Sequence, residues 1–259
     1  MTIDLSGCRA KIERAWEHKN ALETIVSPVK SEPLQIQISA ELDPQSGYYV
    51  YRVAAIPEDW RLRVGIMIGD IIHNARSALD HLFWHLYCRY IRVPRTDGEA
   101  RRVQVPIEDR SKGLSEKRNA FRKIPSSHWA IIDAAQPYKR RNKYRILAIL
   151  RDLSNQDKHR VLTPILIRAE TFEPVGEPFR ARRIVDWDTS RAKKNLEVGA
   201  ETMRVKFDPS PYHEAYVDVA GYLTPHVLLP QGQALTVSRG LSGMITCAEE
   251  TINDVWLRL

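Results

Sequence analysis

The sequence predicts an α+β protein: a central helical bundle, a small antiparallel β-sheet and amphipathic terminal helices. Strand-like alternation occurs in two stretches, 30–55 and 162–235, and these flank a block, 56–161, with helical apolar spacing. The chain closes on Leu241, Ile245, Ala248, Ile252, Val255 and Leu259, a single apolar stripe at the helical period. With 43% hydrophobic and 27% charged residues, 259 residues supply a real core and exclude a disordered chain. The whole chain, 1–259, is therefore expected to form a single α+β unit. Its two strand stretches are expected to share one sheet, which the terminal helices are positioned to cover.

The elements follow in order. Leu5, Cys8, Ile12, Ala15, Trp16, Leu22 and Ile25 recur at helical spacing and stop before Pro28. Leu34, Ile36, Ile38, Ala40 and Leu42 then alternate with polar residues, Asp43 to Gly47 has turn chemistry, and Tyr48 to Ala54 is rich in strand formers, which together predict a hairpin. Pro57 opens a long helix from about Trp60 to Ile91, followed by a loop around Pro94 to Ala100. Shorter helices are expected near 112–123, 126–135 and 142–154. Alternation returns over 165–172, 179–187, 196–207 and 215–223, with turns at Pro174, Pro209 and Pro211.

Composition also limits partners and compartment. The apolar runs are too short for a membrane span, the start carries charge where a signal peptide has an apolar stretch, and Cys8, Cys88 and Cys247 form no C-x-x-C pair. A cytoplasmic protein without membrane contact is expected. The net charge of +7 is regional, because Arg89 to Arg160 holds 19 basic and 8 acidic residues while the remainder is slightly acidic. Within that region, Lys117-Arg118 and Arg122-Lys123 form one run, and Tyr138 to Arg145 interleaves aromatic rings with Lys139, Arg140, Arg141, Lys143 and Arg145. Cations supply phosphate affinity and rings supply stacking, so these residues, with Arg160, are the expected nucleic-acid contacts and RNA the expected partner.

On the long helix, Val64, Ile68, Ile71, Ala75, Leu79, Leu82 and Leu86 take one side of the wheel. Asp70, His73, Asn74, Ser77, Asp80, His81, Trp84 and His85 take the other, with Arg76 at its margin. A solvent face ordinarily collects Lys and Glu, whereas this one collects groups that bind and transfer protons. A polar helix–helix contact is the alternative source of such a face. The stretch Asn74-Ala-Arg76-Ser77-Ala-Leu-Asp80-His81 resembles the R-x4-6-H signature of the HEPN superfamily, helical-bundle proteins many of which cut RNA without metal. Gly69 to Leu82, Val105-Pro-Ile107, Gln136-Pro-Tyr138 and Asn155-Gln-Asp-Lys-His-Arg160, in that order, are similar to a family of bacterial and phage proteins from which no agreed activity carries over.

The resemblance implies a metal-independent endoribonuclease, with a setting in phage defence or toxin–antitoxin control. In that chemistry His81 acts as general acid or base, Arg76 clamps the phosphate, Asn74 and Asp80 orient, and Lys158 with His159 forms a supporting cluster facing His81. Five residues turn a helix by about 140° beyond a full turn, so Arg76 and His81 diverge and either a long Arg arching over the face or a second subunit brings both to one phosphate; the HEPN resemblance implies paired motifs at a dimer interface. A homodimer follows from that, and a regulatory protein partner fits a growth-inhibiting nuclease. No cofactor and no metal are expected. The competing readings are a noncatalytic nucleic-acid-binding or assembly protein, in which Asn155 and Asp157 serve as helix-end and cap residues, and a metal-dependent hydrolase built on His81 and His85.

Overall fold

The computed structural model describes residues 4–26, 37–56, 58–139, 145–159, 165–175, 183–191, 197–208, 218–229 and 234–257. Its elements are helix α1 (Ser6–Val26), strands β1 (Gln37–Asp43) and β2 (Tyr48–Ala55), helices α2 (Glu58–Tyr90), α3 (Asp97–Ala100), α4 (Ser111–Ala120), α5 (Ser126–Ala134) and α6 (Arg145–His159), strands β3 (Ile165–Val175), β4 (Arg183–Asp188), β5 (Glu201–Asp208), β6 (Asp218–Leu228) and β7 (Ala234–Thr236), and helix α7 (Val237–Trp256). The class is α+β. No helix among the described residues is long and apolar enough to cross a membrane.

The chain forms two units rather than the single one expected. One comprises Met1–Glu23, Val64–Pro164 and Leu229–Leu259, the other Thr24–Arg63 and Ile165–Leu228. In the second unit the strands divide into separate pairings instead of one sheet. Antiparallel β1-β2-β5-β4 form a four-stranded sheet, while β3 pairs with β6 from Ile165 opposite Val227 to Val175 opposite Asp218. The reason lies in the edges. The β1–β2 hairpin leaves β2 one open edge, β5 takes it, and β4 follows β5, so the long strands β3 and β6 satisfy each other. The hairpin turn is as expected: Asp43 accepts from the Gln45 amide and the Ser46 hydroxyl, and Gly47 has φ of 71°, a conformation that favours glycine. Tyr49 packs edge-on against Phe207 at 5.7 Å between neighbouring strands.

Both terminal helices belong to the helical unit, α1 as far as Glu23. The stripe on α7 is buried from Val237 to Val255, and α7 packs on α5 and α6. It also meets α1, where Ser238 donates to Glu23, Trp16 donates to Glu249, and the Arg9 guanidinium lies 5.1 Å from the Trp256 ring. Helix α2 is the centre of the unit. Ile68, Ile71, Ile72, Ala75, Ala78, Leu79, Leu82, Phe83 and Leu86 are all buried, a wider face than one stripe, because α2 is covered on several sides. Gly69 leaves room for α6, because a Cβ there would lie 2.8 Å from an Asp157 oxygen. Helix α6 continues to His159, so Asn155 and Asp157 are helical and do not form the expected helix end and cap.

One segment of this unit is buried without regular structure. Val103, Val105, Pro106 and Ile107 are all buried, and a buried backbone group left unpaired costs about 1–3 kcal/mol. Side chains provide the partners. The Val105 amide donates to Asp80 at 3.0 Å, and the Val105 carbonyl accepts from Arg76 Nη2 at 3.0 Å. Gln136 donates to the Pro106 carbonyl at 2.9 Å and accepts from the Glu108 amide at 2.7 Å, while Arg151 donates to the Ile107 carbonyl at 3.0 Å. Arg76 and Asp80 are also paired with each other, Nη2 to Oδ1 at 3.0 Å.

Removing one member of a buried ion pair strands the other, so Arg76→Met should lower the unfolding free energy by about 3 kcal/mol in denaturant titration. Arg102→Met, at an exposed position beside the same segment, should change it by less than about 0.5 kcal/mol. A second outcome concerns pH. His128 is buried on α5 against the Tyr90 hydroxyl at 3.1 Å, and burial, helped by Arg89, holds its pKa below the ordinary 6.5. The unfolded chain then takes up a proton that the folded chain refuses. Stability should fall as pH drops below about 6.5, and His128→Asn should flatten that loss when unfolding is measured across the range.

Candidate active site on the long helix

The polar face of α2 separates into two environments. Arg76 is only 8% exposed and turns into the clamp on Val105, with its Nε on Asp80 at 3.2 Å and its remaining nitrogen Nη1 also buried. The guanidinium therefore offers no open side to a phosphate. Asp80 is engaged in the same clamp, and its charge also favours the protonated form of His81.

The other environment is built with α1. Leu5, Cys8, Ile12 and Ala15 are buried, and this apolar stripe sets the polar side of α1 beside the polar face of α2. There Lys11 donates to Asn74 Oδ1 at 3.1 Å, and Asn74 Nδ2 donates back to the Asp70 carbonyl at 2.8 Å. Asn74 is 7% exposed, so its amide fixes the position of the Lys11 ammonium rather than meeting a substrate. His81, one and a half to two turns further along, keeps an exposed edge while α1 approaches Nδ1: a Cβ on Gly7 would lie 3.5 Å from it. Desolvation, then the charges of Lys11 and His85, hold the His81 pKa below the usual value. Its imidazole is thus neutral at neutral pH, which suits a proton acceptor. His85 follows at i+4 on the same face, half-buried, and its charge also reaches Asp4. Sequence reasoning missed Lys11 and gave His85 no role in proton transfer. The lysine sits on a different helix, and only the burial stripe of α1 hinted at its direction.

The remaining expected residues fall elsewhere. Asp157 lies against Gly69, three turns or about 18 Å along α2 from His81. The side chains of Lys158 and His159, and all of Arg160, lie outside the described residues, as do Arg140, Arg141 and Lys143. Lys139 is paired with Asp133 at 2.8 Å, and Tyr138 also donates to Asp133. Arg145 is exposed at the start of α6. His81 and His85 belong to no group of three or more metal-ligating side chains among the described residues. His73, the other histidine of the face, lies 3.4 Å from the Ser77 hydroxyl.

No family model matches the chain, and neither the curated proteins nor the solved structures contain a match. The arrangement is accordingly read from its own chemistry: two imidazoles one turn apart and an ammonium held by Asn74 on the same face of α2. NMR titration of the histidine Cε1 protons should give His81 a midpoint below 6.5, and Lys11→Met should raise it by removing a neighbouring positive charge. A midpoint unmoved by that substitution would separate Lys11 from the site.

Proposed function

We propose that the helical unit cleaves RNA without a metal ion, with His81 as general base, His85 as general acid and Lys11 as the cation that takes up charge on the phosphate. The observation that carries this reading is the Lys11 ammonium, fixed by buried Asn74 on the α2 face that also bears His81, whose pKa it helps to lower. Internal transfer needs those three services. His81 removes the ribose 2′-OH proton, the 2′-oxygen attacks phosphorus, and the bond to the 5′-oxygen breaks as that oxygen takes a proton from the His85 imidazolium. Lys11 stabilises the added negative charge on the non-bridging oxygens. The products are a 2′,3′-cyclic phosphate and a 5′-hydroxyl, and the two histidines end in exchanged protonation states.

This reading keeps the chemistry implied by the HEPN resemblance and moves the cation from Arg76 to Lys11. It also removes the reason for a second subunit, because one chain supplies all three groups. A noncatalytic RNA-binding protein is the competing reading, favoured by one observation: the clamp accounts for Arg76 and Asp80 without any reaction.

The test is incubation with mixed single-stranded and structured RNA in EDTA. Wild-type protein should leave 2′,3′-cyclic ends, and substrates lacking the 2′-OH should stay intact. His81→Gln should lower kcat by about 10²- to 10⁴-fold, with His85→Gln comparable. Lys11→Met should lower it by about 10²-fold with little change in KM. The acidic limb of the rate profile should have its midpoint below 6.5, since the base is lost only as His81 protonates. Intact RNA with wild-type protein, or cleavage unaffected by His81→Gln, would reject the activity.

A further inference from the structure

We propose that helix α4 and the turn after it form the surface that holds the RNA backbone, an inference that rests on the ribonuclease reading and extends it to substrate binding. Lys112, Lys117, Arg118, Arg122 and Lys123 are all exposed, and none forms an ion pair among the described residues. Glu116 is the one acidic residue in the stretch 111–123. Leu114 and Ile124 anchor this element by burial, so the cations project from a fixed base rather than a free tail. This differs from Lys139, whose charge is already matched by Asp133.

The chemistry of the surface selects the partner. A membrane-binding helix carries exposed apolar side chains beside its cations, and a helix that docks a protein carries an apolar stripe. No large hydrophobic residue is exposed on α4; Ser115 and Asn119 lie among the cations instead. Charge with short hydrogen-bonding groups and no apolar anchor fits a phosphate backbone. Phe121 is turned inward, edge-on to Phe83 and Tyr87 at 5.6 and 5.7 Å, and is not available to stack on a base. Binding is therefore expected to be electrostatic and indifferent to sequence.

Placement links the surface to the proposed chemistry. Phe121 meets α2 at Phe83 and Tyr87, on the turn that carries His81 and His85 on its other side. Phe121 therefore anchors the basic element at the level of α2 that carries the imidazoles, with α2 between them, so a bound strand would pass around α2 to meet both.

Fluorescence polarisation with a labelled single-stranded RNA tests this, using His81→Gln protein as parent so that the probe survives. Combining Lys117→Gln, Arg118→Gln, Arg122→Gln and Lys123→Gln should weaken binding tenfold or more and reduce the slope of log affinity against log salt by about 2–3, at roughly 0.7 per lost phosphate contact. Because all four side chains are exposed, the melting temperature should stay within about 2 °C of the parent. Affinity and slope unchanged in this variant would overturn the proposal, as would a parent that ignores RNA but binds phosphatidylserine vesicles. The two readings fail separately: salt-dependent binding lost in the variant while wild-type protein leaves RNA intact rejects only the catalysis. Cleavage by the quadruple variant at the wild-type rate rejects only the surface.

Discussion

The helical unit depends on one unsatisfied demand, the backbone of residues 103–108. This segment runs through the core without a strand to pair with, yet Val103, Val105 and Ile107 are as buried as residues on α2. The Val103 amide donates to the Ala100 carbonyl, and the buried groups of Val105, Pro106 and Ile107 that pair with side chains take them from three different elements. Arg76 and Asp80 on α2, Gln136 after α5 and Arg151 on α6 meet that demand, each at 3.0 Å or less. Three helices are thereby tied to one strip of chain. Loss of any single partner leaves a buried group unpaired rather than merely removing one bond.

The same constraint decides what the polar face of α2 can do. Arg76 and His81 are close in sequence but diverge around the helix, and the clamp draws Arg76 toward Val105 while α1 covers the side that bears Asn74 and His81. Two uses of one polar face follow. Ionic groups next to the 103–108 segment serve the fold, and those beneath α1 are arranged around an ammonium and a neutral imidazole. The charge of α4 adds a third feature, carried on an element anchored to α2 by an aromatic contact.

Much of this was legible in the sequence. The long helix, the hairpin with Gly47, the short helices at 111–120 and 126–134 and the closing helix all follow from local periodicity and turn chemistry, because each is decided within about a dozen residues. Short α3 and β7 were not, since four and three residues hold too little pattern to stand out. The split into two sheets was also hidden, because it depends on which distant strand pairs with the free edge of β2. At the site, residue types pointed to the polar face of α2, but a helical wheel does not show which neighbour covers each side. It put Arg76 at the margin of an open face, where the fold buries it, and it gave no role to Lys11 on another helix. The clamp joins residues from three separated stretches, Asn74 to His81, Val105-Pro-Ile107 and Gln136-Pro-Tyr138.

The clamp can be measured directly by native-state hydrogen exchange. Amides in irregular segments ordinarily exchange through local opening, far faster than those of core helices. Side-chain capture by Asp80 and Gln136 predicts that the Val105 and Glu108 amides exchange as slowly as those of Leu79 and Leu82 in α2, opening only with the whole unit. Exchange of Val105 and Glu108 at loop-like rates, with α2 still protected, would contradict the account.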